Sequence, residues 1–424
     1  MPEASIATRA PWLCEPDTQR LLAVLSEGGE EARIAGGAVR NALMGLPVND
    51  VDLATTTLPE ETLRRAEAAG MRVAPTGIEH GTVTVIAKAR VFEVTTLRAD
   101  IETDGRRARV AFGRDWRTDA ERRDFTINAL YADGEGRVFD YVGGLVDIES
   151  RTIRFIGDPE ARIREDFLRI LRFFRMFAWY GHGRPDAEGL KACARLKDGL
   201  DRLAAERIRA ELMKLLAAPD PARALLWMRQ TGVLGHILPE TEKWGIDLIH
   251  SLVEAESSIG LEPDAMLRLI AILPPNRERI AALAERLRLS RAETHRLLAY
   301  ADQPLPSGDM EGDRFRRLLY RADTQALRDR LAILLADALR KDGPASARAE
   351  TCRRLFEVAR SWQPPRLPLD GTDLEALGMP PGPALGAALR TLEERWVESG
   401  FTLSREQLLL HARRLVAEAR GQAL

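Results

Sequence analysis

The 424-residue sequence holds only three cysteines and six histidines, and each scarcity excludes a class of chemistry. Cys14, Cys193 and Cys352 are far apart and form no CxxC pair, so they read as free thiols without a disulfide framework or a zinc site. The histidines are scattered, and none forms the His-Asp pair that an appended metal phosphohydrolase domain would need. Long apolar runs are missing too. Nothing approaches the roughly 20 residues of a membrane span, and the opening MPEASIATRAPWL lacks the apolar core of a signal peptide. A cytoplasmic protein without a membrane partner is expected. Charge of one sign is also absent: a formal net charge of −2 excludes a protein that coats nucleic acid by bulk basicity, and no DNA partner is expected. Local basic surfaces are still allowed, and nearly all the positive charge is arginine, the better phosphate partner. The length exceeds one ordinary core, so about two to four domains are expected.

What is present is organised around Ile34 to Thr55, IAGGAVRNALMGLPVNDVDLAT. Gly36-Gly37 permits a tight turn with exposed backbone N–H groups at the start of a short helix, Val39 to Met44, an arrangement suited to phosphate. Arg40 lies in the first helical turn, where its guanidinium could add a second contact to the same anion. Gly45 ends the helix, and Pro47 and Asn49 turn the chain into Asp50-Val51-Asp52-Leu53. As a strand, that segment places both carboxylates on one face, about 6.6 Å apart along it. Two carboxylates so presented suit a hard cation such as Mg²⁺. Alone, a Gly-Gly is usually a turn and a DxD usually a solvated strand edge. In the order glycine turn, Arg, helix, acidic strand, they specify a site for a nucleoside triphosphate with Mg²⁺.

This motif resembles the first motif of the tRNA nucleotidyltransferase and poly(A) polymerase family, in its bacterial, class II form. The family usually has Asp where this chain has Asn41.

Downstream, Thr76 to Asp100 reads as a hairpin whose second strand, Val91 to Leu97, carries Glu93 on the face opposite Phe92 and Val94. Glu93 is either a third carboxylate beside Asp50 and Asp52 or a solvated strand position. His80 reads as a turn residue. Other strand candidates are Val83 to Ala87, Thr126 to Tyr131 and Arg137 to Tyr141. The charged stretch Arg98 to Arg122 has little periodicity and reads as a long loop. In the resembled family a loop here helps the enzyme change from adding C to adding A. Its full length, with Asp100 and Asp104-Gly105-Arg106, favours an enzyme that adds both.

Arg122 to Leu130 reads RRDFTINAL, close to the family's second motif, by which Arg123 contacts the nucleotide while Phe125 and Ile127 pack the head. After Ile156-Gly157-Asp158-Pro159, one amphipathic helix is expected over EARIREDFLRILRFFRMFAW, with Ile163, Phe167, Ile170, Leu171, Phe174, Phe177 and Ala178 as its buried stripe. Arg162, Glu165, Asp166, Arg169 and Arg172 fall opposite, with Arg175 near the edge. Most such faces are merely solvated. Glu165-Asp166-x-x-Arg169, however, resembles the family's EDxxR, which implies that Asp166 and Arg169 read the base and that Arg172 and Arg175 contact triphosphate or tRNA.

The β-rich beginning and helical remainder predict an α+β fold: a nucleotidyltransferase head with a small mixed sheet over 1–157, then helical neck (158–218), body (219–302) and tail (303–424). Ser290-x-x-Glu293, Thr372-x-x-Glu375 and Ser404-x-x-Gln407 each fit a capping box, and Gln303 to Gly312 and Gln363 to Gly371 read as linkers. Arg-rich helices over Arg277 to Arg296 and Arg314 to Arg330 read as solvated faces, or as a surface for the tRNA acceptor end.

By resemblance the reaction is template-independent addition of the tRNA 3′ CCA from CTP and ATP. Asp50 and Asp52, with Glu93 as the third acidic candidate, would hold two Mg²⁺ about 3.5 to 4 Å apart, and Gly37, Arg40 and Arg123 would hold the nucleotide. A poly(A) polymerase shares these motifs and is the second reading, placed behind because TGIEHGTVTV resembles the CCA-adding type. An inactive RNA-binding relative is the third; it would show a lost carboxylate or a broken base-reading pair.

Overall fold

The computed structural model describes residues 4–88, 90–104, 107–241, 246–303 and 312–421. Gly105 and Arg106 of the charged stretch, and 304–311 of the expected linker, lie outside the described residues. The chain divides into two compact units, Met1–Lys243 and Trp244–Leu424. It is α+β: a sheet-bearing head opens the first unit, and the rest is mostly helical.

The head sheet is built from β1 (Ala32–Ala35), β2 (Val51–Thr55), β3 (Arg72–Gly77), β4 (Thr82–Ala87), β5 (Arg90–Thr96), β8 (Leu130–Ala132) and β9 (Val138–Asp140), in the order β3-β4-β5-β2-β1-β8-β9. Its central strands alternate as half-buried strands should. Val51, Leu53, Phe92 and Val94 are buried, and Asp52 and Glu93 are exposed between them. β2 runs parallel to β5 in a register that sets Asp52 beside Glu93. The expected β4–β5 hairpin is present and antiparallel. β3 is an edge strand, where Pro75 is tolerated because no further strand needs its missing N–H.

Three local expectations are corrected. Arg98 to Arg122 is not a long loop. It forms a two-stranded ribbon, β6 (Arg98–Asp104) with β7 (Arg107–Phe112), followed by a helix. Thr126 to Tyr131 is not one strand: Thr126–Asn128 is a 3₁₀ turn, and only Leu130 onward joins the sheet. The expected single helix after Pro159 is two helices broken at Asp166, whose backbone is extended (φ −152°, ψ 107°). Its own Oδ1 accepts the Leu168 N–H at 3.1 Å, and this Asx-type turn competes with helical continuation.

The first-unit helices are α1 (Pro16–Leu25), α2 (Gly37–Met44), α3 (Pro59–Ala68), α4 (Trp116–Glu121), α5 (Gly144–Glu149), α6 (Pro159–Glu165), α7 (Leu168–Tyr180), α8 (Ala187–Leu196) and α9 (Ala205–Leu216). α7 is fixed to the head by aromatic packing, since Phe173 stacks on Phe155 at 5.4 Å and Phe155 lies 4.9 Å from Phe125. α5 packs so closely on the second motif that a Cβ on Gly144 would collide with the Thr126 carbonyl. Gly144→Ala should therefore cost about 1 to 3 kcal/mol through overpacking, read as a lower denaturation midpoint. An unchanged midpoint would show that α5 can shift.

The second unit is all helical over its described residues. Its buried centre pairs Arg268 with Glu256, both almost inaccessible, at 2.7 Å. The capping boxes at Ser290–Glu293 and Ser404–Gln407 form as read. The helix expected to open at Thr372 opens earlier, capped by Asp370 with Asp373, because the Asp370 carboxylate accepts the Thr372 N–H at 2.9 Å.

Candidate nucleotide site

The glycine turn behaves as its residues require. Gly36 adopts φ +66°, and a Cβ there would press on Arg123 and the Asn128 carbonyl, so a side chain is excluded by both backbone and space. No side chain caps the start of α2, which leaves its first N–H groups for a ligand. Beside this turn opens a pocket of about 410 Å³. Gly36, Gly37, Arg40 and Asp52 line it from the first motif, Arg123, Asp124 and Asn128 from the second, and Asp166, Arg169, Arg172, Arg175 and Met176 from α7 and the turn before it. Five guanidinium groups against three carboxylates make it a site for an anion.

Each arginine is braced from inside the protein. Arg40, only 8% exposed, stacks over the Tyr180 ring at 3.9 Å, donates to the Tyr180 hydroxyl at 2.8 Å and to Asn41 Oδ1 at 2.9 Å, and also meets Asn128 Oδ1. Burial lowers its pKa from the usual arginine value. Arg123 donates to Asp119 at 3.2 Å, to the Tyr131 hydroxyl at 3.1 Å and to the Asn128 carbonyl at 3.3 Å. Asp119 is almost wholly buried. Burial alone would raise its carboxyl, but Arg123 and Arg122 outweigh that and hold it below the ordinary range. Arg172 Nε bonds buried Asp124 at 2.8 Å, and Arg175 Nε bonds Glu211 at 2.6 Å.

The two base-reading candidates face the same pocket but do not bond each other. Asp166 Oδ2 accepts from Arg207 of α9 at 2.8 Å. Arg169 Nη1 donates to Glu165 at 2.5 Å and to the Arg162 carbonyl at 2.7 Å. Among the described residues its remaining N–H groups make no protein bond, so they are left for a ligand.

Asp50 lies one residue before β2 and Asp52 lies within it, and both are exposed. Asp52 lines the pocket, whereas Asp50 and Glu93 do not. All three nonetheless interact. Although Asp52 reaches solvent at its strand face, the protein packed around its carboxyl partly desolvates it, and this, then the charge of Glu93 and of Asp50, push it up to about 6 against an opposing pull from Arg123. Among the described residues no three His, Cys, Asp or Glu form a ready-made metal cage. Mg²⁺ does not need one, since it is commonly held by one or two carboxylates plus substrate phosphates. The donors fit it: they are hard oxygens, and their mutual repulsion is what a divalent ion relieves.

This predicts a pH effect with a definite sign. The folded-state pKa of Asp52 lies above its ordinary 3.8, so its contribution to stability is full below about 3.8 and is lost as pH rises through about 6. Without divalent ions, Asp52→Asn should melt above the wild type at pH 8 and level with it below pH 4. Equal melting temperatures at pH 8 would contradict the raised pKa.

Several residues of the site escaped the sequence reading. Asp124 and Asn128 lie inside the second motif, where nothing in their spacing marks them as pocket residues. Arg207 and Glu211, four residues apart in α9, reach Asp166 and Arg175 across 41 and 36 residues of chain, a separation that leaves no local signal. Tyr180 carried no signal beyond its place at the end of an amphipathic helix.

The profile described as "Poly A polymerase head domain" matches residues 32–154, and "Probable RNA and SrmB- binding site of polymerase A" matches 184–244. The mouse protein named CCA tRNA nucleotidyltransferase 1, mitochondrial, is 32% identical over 408 residues, covering 93% of this chain and 89% of its own length. The chain belongs to the CCA-adding tRNA nucleotidyltransferase family. The family's CCA-adding enzyme of Limosilactobacillus fermentum is 31% identical over 93% of this chain and 96% of its own. Among solved structures, the CCA-adding enzyme of Bacillus stearothermophilus in complex with CTP superposes with a TM-score of 0.73 at 26% identity, covering 97% of this chain and all of that one. Membership therefore extends over both compact units. No described helix is long and apolar enough to cross a membrane.

Proposed function

We propose that this chain builds or repairs the 3′-terminal CCA of tRNA without a nucleic-acid template. The primer 3′ oxygen attacks the α-phosphorus of CTP or ATP, the bond to the β-phosphate breaks, and pyrophosphate leaves. The observation that carries this reading is the convergence of three functions on one pocket: a glycine-turn anion grip, the Asp52 carboxylate and the Asp166/Arg169 pair. The relatives named for CCA addition support it, because they match across nine-tenths of the chain.

Gly37, Arg40, Arg123, Arg172 and Arg175 hold the sugar and triphosphate. Asp166 accepts from the exocyclic amine of the base, and Arg169 donates to the adjacent ring nitrogen. Cytosine offers N4 and N3 and adenine N6 and N1, so both satisfy the pair, whereas uracil and guanine present a carbonyl and an N–H in reverse. Glu165 and Arg207 fix the readers in place. Asp50, Asp52 and Glu93 would hold Mg²⁺, which when bound neutralises triphosphate charge and acidifies the primer hydroxyl. Residues 1–157 serve as catalytic head, 158–218 as base-reading neck, and 219–302 and 303–424 as body and tail receiving the tRNA acceptor end by shape. The chain is read as a bacterial-type enzyme of the cytoplasm, and its three free cysteines support a reducing compartment.

The test separates this reading from a poly(A) polymerase. Purified protein with Mg²⁺ and ATP is given either a tRNA ending in CC or an unstructured RNA ending in CC. A single A on the tRNA, abolished by EDTA, is expected. Long adenosine tails on either RNA would move the assignment to a poly(A) polymerase.

A further inference from the structure

Arg40 is held by a residue far from the motif that carries it. Its guanidinium lies over the ring of Tyr180, 3.9 Å from the centroid, and donates to the same residue's hydroxyl at 2.8 Å. Tyr180 is the last residue of α7, and Arg169, in the first turn of that helix, lines the pocket where the base is proposed to sit. At about 1.5 Å per residue the two lie roughly 16 Å apart along the axis. One rigid helix thus touches both ends of the site, and its middle is pinned to the head by Phe173 on Phe155.

The other partners of Arg40 are also uncharged. Asn41 Oδ1 accepts from Nε at 3.1 Å and Nη2 at 2.9 Å, and Asn128 Oδ1 accepts from Nη1. Among the described residues no carboxylate accepts a hydrogen bond from the guanidinium, and Asp124 acts on it only through space. Packing against an aromatic face fixes its plane without neutralising it.

Resting on the nucleotide-site reading above, we infer that Tyr180 is a positioning residue for the triphosphate: it aims Arg40 at the phosphates from the far end of the base-reading helix. Removing it disturbs phosphate affinity and not base recognition.

The test compares full-length wild type, Tyr180→Phe and Tyr180→Leu for equilibrium binding of CTP, ATP and cytidine with Mg²⁺ present. Tyr180→Leu should weaken CTP and ATP alike by about tenfold and leave cytidine within about twofold, while Tyr180→Phe, which keeps the stacked ring, should lose about threefold. In steady state the loss should appear in KM for both nucleotides and not in kcat. Unchanged CTP binding by Tyr180→Leu, beside normal wild-type binding, would overturn this inference alone. So would an equal loss for cytidine, which would mark a general disturbance of the pocket. A wild-type protein that binds no CTP would bring down the nucleotide-site reading and this inference with it.

Discussion

Replacing Asp52 with Asn is expected to lower the rate of nucleotide transfer by about 10³-fold or more while leaving the fold intact. The substitution keeps size and shape and removes one charge. Asp52 is the one member of the acidic group that lines the candidate nucleotide pocket, and Glu93 beside it on β5 and Asp50 before β2 load that point with negative charge. In the apo protein this charge is a burden, which is why the Asp52 carboxyl is raised. With a divalent ion the same charge becomes affinity. The variant should therefore combine higher stability without metal, at pH above about 6, with a near-complete loss of activity with it. Retained activity in a folded Asp52→Asn protein would refute the metal assignment. A loss of activity matched by a loss of fold would instead mark Asp52 as structural.

The second large effect is on base choice. Asp166→Ala and Arg169→Ala should each admit UTP and GTP, because each removes one group that penalises a base with reversed hydrogen-bonding edges. An unpaired buried polar group costs about 1 to 3 kcal/mol, so discrimination of CTP over UTP should fall by about 5- to 150-fold per variant. The readout is the ratio of kcat/KM values for the two nucleotides on a tRNA lacking CCA. Asp166 is held by Arg207 and Arg169 by Glu165, so the two proposed readers are braced by different partners and should fail separately. Equal losses for all four nucleotides would mean that the pair supports the pocket without reading the base.

Local features of this chain were legible before the fold was seen, and features that depend on distant partners were not. The glycine turn, the α2 helix, the alternation around Glu93 and the Ser290 and Ser404 caps each depend on neighbours within a few residues, so composition and spacing expose them. Parallel pairing of Asp52 with Glu93 joins strands 41 residues apart, and only topology supplies it. The break at Asp166 was hidden because α6 and α7 keep compatible apolar periodicity across it, and a single side-chain-to-backbone bond makes the difference. Thr126 to Tyr131 has β-favouring residues, yet Thr126, whose carbonyl packs against Gly144 of α5, belongs to a 3₁₀ turn there. Residues such as Asp124 and Arg207 act by neutralising or orienting another side chain, and nothing in their own surroundings in the sequence marks that task.

The most direct test of the central claim offers purified protein, Mg²⁺, CTP and ATP to three tRNA transcripts, ending before the CCA, after its first C, and after CC, with products resolved at single-nucleotide length. If Asp166 and Arg169 read both C and A in one pocket, as proposed, all three grow to CCA and stop, with A added only after CC. Products that halt at CC, or that extend beyond CCA into adenosine tails, would contradict it.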